Sequence, residues 1–315
     1  MKALVYEGDR QVRLREVAEP SPGAGETIVS VATVGVCGSD VALFREGMAA
    51  VPGPVVPGHE FGGRLDNGDF VVVNPMVGCG ACAVCGAGRT HLCAQRKVLG
   101  FTRTGACAER IAVPLRNVVP APGLDPIRAA LVEPIANGVH AWNRAGRPTS
   151  GPVAILGAGA IGTCLLHVLR SKGLTDITVV DPVAARREAA LAAGAREVAE
   201  RLTGLYEAVF DAAGTGATRD DALNCTMPGG TVALLGLHDD RPPASVTPLI
   251  VGDRTLAGCF AYTEAEFVEA VALAASIATP WAQAVTVGDA EAEIAALIAG
   301  RAPAGRIKTA ITFNA

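Results

Sequence analysis

The chain has 315 residues, half of them hydrophobic but only 4% aromatic, and a formal net charge of −4. That length suits two domains whose cores are filled mainly by Ala, Val, Leu and Ile. Mild acidity, with no dense Lys/Arg block, argues against nucleic acid or an anionic membrane as partner.

In chain order, Met1–Arg10 brings a charge and a glycine before any secretory apolar core, so no signal peptide is expected. Residues 1–120 read as β-rich. Thr27-Ile-Val-Ser-Val-Ala-Thr-Val34, Phe70-Val-Val-Val-Asn74 and Arg110-Ile-Ala-Val113 are β-branched runs between Gly, Pro and Asp clusters. Apolar spacings of three and four from Pro126 to Arg147 predict helix, in two pieces because Pro134 interrupts it.

From Pro152 buried strands (153–156, 177–180) alternate with amphipathic helices (162–172, 184–193), and strands at 208–210 and 231–235 follow. Such alternation predicts a parallel, doubly wound sheet and an α/β fold. After about Ser276 a strand, a short helix at 291–299 and a last strand at 308–313 complete the chain. The expected domains are 1–135 with 277–315, and 136–276. The most apolar window, Val153–Leu169, is short and broken by three glycines and a histidine, unlike a membrane span. Nine cysteines without an export signal point to metal binding or buried thiols in the cytosol.

Gly157-Ala-Gly159-Ala160-Ile161-Gly162 follows an apolar strand and opens a helix. The first glycine permits a tight turn, the second lets backbone approach a pyrophosphate, and the third allows close helix–strand packing. The helix N-terminus offers free N–H groups to phosphate. Asp181 ends the next strand, where an acidic group binds ribose hydroxyls. A carboxylate there disfavours a 2′-phosphate, so NAD is expected over NADP. Arg186 and Arg187 lie a turn or more beyond, where they either soften that preference or form a solvated helix face.

Cys79-x2-Cys82-x2-Cys85-x7-Cys93 wraps thiols around a Gly-rich loop. Four thiolates with no open position describe a structural zinc; an iron–sulfur cluster is the alternative. His91 stands beside this loop as a bystander. A dispersed second set is Cys37, His59 with Glu60, and Glu133: thiolate, imidazole and carboxylate, the donors of a catalytic zinc with room for substrate. Spacing alone does not bring these residues together.

Several segments resemble the zinc-type medium-chain dehydrogenase/reductase family, its polyol (sorbitol-like) and threonine dehydrogenase branches above all. They are Val34-Gly-Val-Cys-Gly-Ser-Asp40, Pro57-Gly-His-Glu60, the four-cysteine lobe, Glu133-Pro-Ile-Ala-Asn-Gly-Val-His-Ala141, Leu156–Asp181 and Arg306-Ile-Lys-Thr-Ala-Ile311. The resemblance implies a zinc-binding, GroES-like catalytic domain joined to a Rossmann domain, and a homodimer or homotetramer.

It also implies two zinc ions per chain. Cys37, His59 and Glu133 would surround the catalytic one, with Glu60 a direct ligand or one exchanging with water. Ser39 would touch the substrate oxygen and start a proton relay. The implied reaction is hydride transfer between NAD and a secondary alcohol of a polyol, diol, cyclitol or amino alcohol. NADPH-dependent reduction of an aldehyde or ketone, and a non-catalytic nucleotide-binding regulator, are the alternatives.

The chain departs from the family pattern at Ala42, where a relay His is common, in a shortened segment after Glu60, and in a compact region after His238. Phe44, Met48 and Phe101 are candidate pocket residues, and His238 a candidate contact to cofactor or substrate. Cys107, Cys164, Cys225 and Cys259 are expected to be small buried hydrophobes, and His140 and His167 ordinary helix residues.

Overall fold

The computed structural model describes residues 1–47, 54–301, 303 and 305–313. The chain divides into two compact units, Met1–Glu133 with Thr263–Ala315, and Pro134–Tyr262.

The first unit is built on strand Glu26–Val36, whose run of β-branched residues is buried on both faces over much of its length. Residues 30–35 pair antiparallel with Glu60–Arg64, residues 33–36 with Lys308–Thr312, and residues 26–30 with Arg110–Pro114. Phe70–Val73 and Val118–Pro120 extend the sheet beyond Glu60–Arg64, and Ala282–Thr286 flanks Lys308–Thr312. Val29, Val31, Val34, Phe61, Val71 and Ile311 meet from these strands in one core. Three distant stretches of chain therefore share one end of the sheet: Gly35 lies opposite both Glu60 and Ala310.

The second unit is a six-stranded parallel sheet. Its order is Glu197–Ala199, Ile177–Val180, Val153–Leu156, Tyr206–Asp211, Thr226–Leu234, Thr255–Gly258. In sequence rank this is 3-2-1-4-5-6, the dinucleotide-binding arrangement, with its switch point between Val153–Leu156 and Tyr206–Asp211. The two central strands Val153–Leu156 and Ile177–Val180 are buried throughout and almost pure Val, Ile, Leu and Ala, as strands covered on both faces are. No helix of the described residues is long and apolar enough to cross a membrane.

Two expectations need correction. The helical stretch does form two pieces, Pro126–Ala129 and Val132–Arg144, but the break falls at 130–131 rather than at Pro134. Pro134 sits in the first turn of the second helix, where its missing N–H has no intrahelical acceptor to lose. Further elements also appear: helix Gly216–Asn224 between the strands at 206–211 and 226–234, and, past residue 235, strand Thr255–Gly258 in the parallel sheet and helix Glu264–Ala274 in the first unit. Helix Glu264–Ala274 had a readable start, because Thr263 and Glu266 form a reciprocal capping box.

Candidate active site and metal centres

Cys37 ends the Glu26–Val36 strand and caps helix Gly38–Glu46. The helix begins there because Asp40 reaches back, its Oδ2 accepting the Cys37 N–H at 2.9 Å. Leu43 and Phe44 then anchor the helix in the core. His59 follows Gly58, whose φ of +96° turns the chain into strand Glu60–Arg64. A side chain at 58 would also collide with Cys107 and Val34.

Donor atoms of Cys37, His59 and Glu60 lie within 4.8 Å of one another. The site is buried, with His59 5% and Glu60 1% exposed. Asp40 Oδ1 lies 3.4 Å from His59 Nδ1, and Asp40 is itself buried. Burial pulls the imidazole pKa down, but Asp40 and the Cys37 thiol outweigh it and hold the pKa well above 6.5. Glu60 Oε2 pairs with the ammonium of Lys308, which is likewise buried.

Glu60 Oε1 and His59 Nδ1 have no hydrogen-bond partner. A buried carboxylate oxygen left this way is costly unless a cation or donor meets it. The donor set, thiol, imidazole and carboxylate, suits zinc. Phe101 packs its ring 5.2 Å from that of His59.

Glu133 is buried in the first turn of Val132–Arg144 but stands outside the group of three. Ser39 is half-buried in the first turn of Gly38–Glu46, and Ala42 is exposed. Of the candidate pocket residues, Phe44 is 1% exposed and stacks on Tyr6 in the core. It lines nothing accessible, because the helix turns its apolar face inward; Met48 lies outside the described residues. Residue-by-residue reading missed Lys308, Asp40 and Gly35. A Cβ at Gly35 would strike Glu60 Oε2 and Lys308, so the missing side chain makes room for the pair.

The four-cysteine lobe closes locally. The sulfurs of Cys79, Cys82, Cys85 and Cys93 lie within 4.8 Å of one another. Cys79–Cys85 and Cys82–Cys93 are each 3.9 Å apart. Zn–S bonds of about 2.3 Å in a tetrahedron require S···S edges of about 3.8 Å, whereas a disulfide needs about 2.05 Å. The thiols are set for one cation, and a multinuclear cluster would spread them over several irons.

Amides of Ala81 and Cys82 donate to Cys79 and hold its pKa down to about 6. The Cys79 amide likewise lowers Cys93. At Cys85 the Gly80 amide pulls down, but burial and the neighbouring thiols push the pKa up to about 11. His91 is buried in the adjoining turn, and the four sulfurs close without it. Thr90 Oγ1 donates to Glu264 at 2.6 Å and ties the lobe to helix Glu264–Ala274.

In the second unit Gly157 has φ +95°, and a Cβ there would press on Ala213. A Cβ at Gly162 would run into the Gly157 carbonyl, so helix Ala160–Ser171 can lie against the strand only with glycine there. Gly159 caps that helix and has open space where a side chain would be, a cradle for phosphate at free N–H groups. Asp181 is buried just past strand Ile177–Val180. Its Oδ2 accepts the Ala158 N–H at 2.9 Å, its Oδ1 the Val183 N–H at 2.8 Å, and Arg186 lies 3.7 Å from Oδ2.

His238 is exposed on the loop after Thr226–Leu234. Cys107 and Cys164 are buried as expected, whereas Cys225 and Cys259 are half-buried near strand ends.

Residues 23–123 match the alcohol dehydrogenase GroES-like domain family and residues 160–276 the zinc-binding dehydrogenase family. The chain is 31% identical over 260 residues to L-galactonate-5-dehydrogenase of Escherichia coli K12, covering 75% of this chain and 76% of that one. It is 34% identical over 291 residues to L-threonine 3-dehydrogenase of Saccharopolyspora erythraea, covering 82% and 84%. Among solved structures, one of a protein described as a zinc-binding dehydrogenase from Sinorhizobium meliloti 1021, bound to NADP, superposes with a TM-score of 0.89. It shares 26% identity, with 99% of each chain covered.

Proposed function

The chain belongs to the zinc-binding alcohol dehydrogenase family, and on that premise we propose that it interconverts a secondary alcohol and its ketone within a polyol, diol, cyclitol or amino alcohol. The enzyme is a zinc-dependent, NAD(P)-dependent alcohol oxidoreductase. The named relatives act on a sugar acid and on a hydroxy amino acid, which supports a polar alcohol as substrate. One observation carries the reading: Cys37, His59 and Glu60 bring three zinc donors together in a buried pocket.

Cys37, His59 and Glu60 would hold the catalytic zinc, with Glu133 the further carboxylate the resemblance supplies. Bound zinc is a Lewis acid that lowers the pKa of an oxygen it touches, and bound NAD(P) takes the hydride. The chain's own groups do the rest. Asp40, its Oδ1 3.4 Å from His59 Nδ1, steadies the imidazole by its charge. Lys308 balances the charge of Glu60 and holds one of its oxygens. Ser39 Oγ would accept the substrate hydroxyl proton as its own hydroxyl proton passes to water, since Ala42 offers no acceptor.

Cys79, Cys82, Cys85 and Cys93 would hold a second, structural zinc. Gly157, Gly159, Ala160, Ile161 and Gly162 would cradle the pyrophosphate, with Asp181 and Arg186 at the ribose end. A dimer or tetramer in the cytosol completes the reading; the exposed Ile250 and Val251 of helix Thr247–Val251 are apolar surface that a subunit contact would cover.

Metal analysis of the purified protein, with a screen of polyols, cyclitols, diols and amino alcohols, tests the proposal. Two zinc ions per chain are expected. Cys37→Ser is expected to lose one zinc and turnover while still binding the dinucleotide; full activity in that variant would sink the scheme.

A further inference from the structure

We propose that Arg219 is a positioning residue for the nicotinamide half of the dinucleotide, because it fixes the loop 236–241 at the carboxyl end of the parallel sheet. The inference rests on the glycine turn being the dinucleotide site, as given above.

A doubly wound sheet of this order takes one half of a dinucleotide over each set of three strands, outside their carboxyl ends. The glycine turn and Asp181 serve the first set. In the second set Asp211 and Leu234 stand side by side, and the loops 212–215 and 235–241 leave from there. Backbone joins these two loops. The Asp211 carbonyl accepts the N–H groups of Leu235 and Gly236 at 2.9 Å. Its Oδ1 accepts those of Ala213 at 3.1 Å and Gly214 at 2.8 Å. A Cβ at Gly214 would strike the backbone of Gly236, and one at Gly236 that of Gly214. Ala213 in turn abuts Gly157, so the loop pair stands against the glycine turn at the switch point.

Beyond Gly236 no apolar anchor holds the chain, since residues 237–241 are all exposed. Arg219, buried on helix Gly216–Asn224, supplies the hold. Its Nη1 donates to Asp239 Oδ1 at 3.0 Å and to the Arg241 carbonyl at 2.6 Å, and its Nη2 to the Gly236 carbonyl at 3.4 Å. One planar guanidinium thus grips the loop at both ends and in the middle. Asp239 completes the clamp by accepting the N–H groups of Gly216 at 3.1 Å and Arg241 at 2.9 Å. Those amides, with the charges of Arg219 and Arg241, hold its carboxyl below the ordinary value.

The strands beneath have their own support. Val209, Phe210, Val232 and Ala233 are 0% exposed, so the sheet is held by its core and the loop by Arg219. Loss of the clamp frees the loop and leaves the sheet standing. The nicotinamide half then loses a fixed wall, while the half at the glycine turn keeps its own.

Titration of the zinc-loaded protein with NADH and with ADP-ribose, which lacks the nicotinamide ring, reads this without turnover. Arg219→Met and Asp239→Asn are each expected to weaken NADH by about tenfold or more and ADP-ribose by less than about threefold. The Asp239 side chain is 41% exposed, so its variant spares the fold even where Arg219→Met does not. Hydrogen exchange should quicken over residues 236–241 and stay as slow as in wild type over 206–211 and 226–234. An equal loss for both ligands would mean that Arg219 acts through the fold or through its charge, and unchanged NADH binding that the loop does not position the ring. Either result overturns this inference alone. A wild type that binds neither ligand sinks the cofactor assignment as well.

Discussion

Lys308 pairs with Glu60 across 248 residues of chain, and both side chains are 1% exposed. Such a pair is worth little compared with a well-packed apolar one, but removing one partner strands a buried charge. Lys308→Met in the metal-free protein is therefore expected to lower unfolding free energy by about 3–5 kcal/mol. Urea titration of the chelated protein measures it. A loss below about 1 kcal/mol would mean that water or another group already serves Glu60.

The Asp40–His59 contact makes a prediction about pH. In the metal-free protein the imidazole pKa lies well above 6.5 despite burial, because Asp40 and Cys37 favour the charged ring. A raised pKa contributes stability that is fully present below 6.5 and fades as pH rises through the higher folded value. NMR titration of ring-labelled histidine should show His59 still charged above its ordinary range. Asp40→Asn should bring it down. A wild-type titration at or below 6.5 contradicts the electrostatic picture.

What could be read directly from sequence was what is local. The four cysteines span 15 residues and close on themselves, and the glycine turn, its strand and its helix are contiguous. Cys37, His59 and Glu60 were readable as residues, yet their meeting depends on Glu26–Val36 pairing with Glu60–Arg64. Lys308, Asp40 and Gly35 carried no signal of their own, because a lysine in a strand and a glycine in a strand each have duller explanations.

The thiols of the cysteine lobe should differ sharply in reactivity once zinc is removed. Cys79, with its pKa near 6, is mostly thiolate at neutral pH, whereas Cys85 at about 11 is protonated. Brief iodoacetamide treatment of chelated protein, followed by peptide mass mapping, should modify Cys79 well ahead of Cys85. Zinc restored before treatment should protect both. Equal labelling would show that the amides of Ala81 and Cys82 do not hold the lobe once the metal has gone.

Gly35→Ala tests whether the floor of the catalytic pocket is as tight as its contacts imply. The added methyl would face Glu60 Oε2, the Lys308 stem and the carbonyl of Ala130, from the two strands that flank Gly35 and the end of helix Pro126–Ala129. Neither backbone nor a doubly buried ion pair yields easily, so either the pair opens or the strand shifts. Overpacking of this sort costs about 1–3 kcal/mol. Gly38→Ala is the control, because nothing lies within 4 Å of a Cβ there. Its stability should stay within about 0.5 kcal/mol of wild type. If Gly35→Ala is as stable as Gly38→Ala and keeps its zinc, the Glu60–Lys308 pair has room to spare, and glycine at position 35 is not what makes space for it.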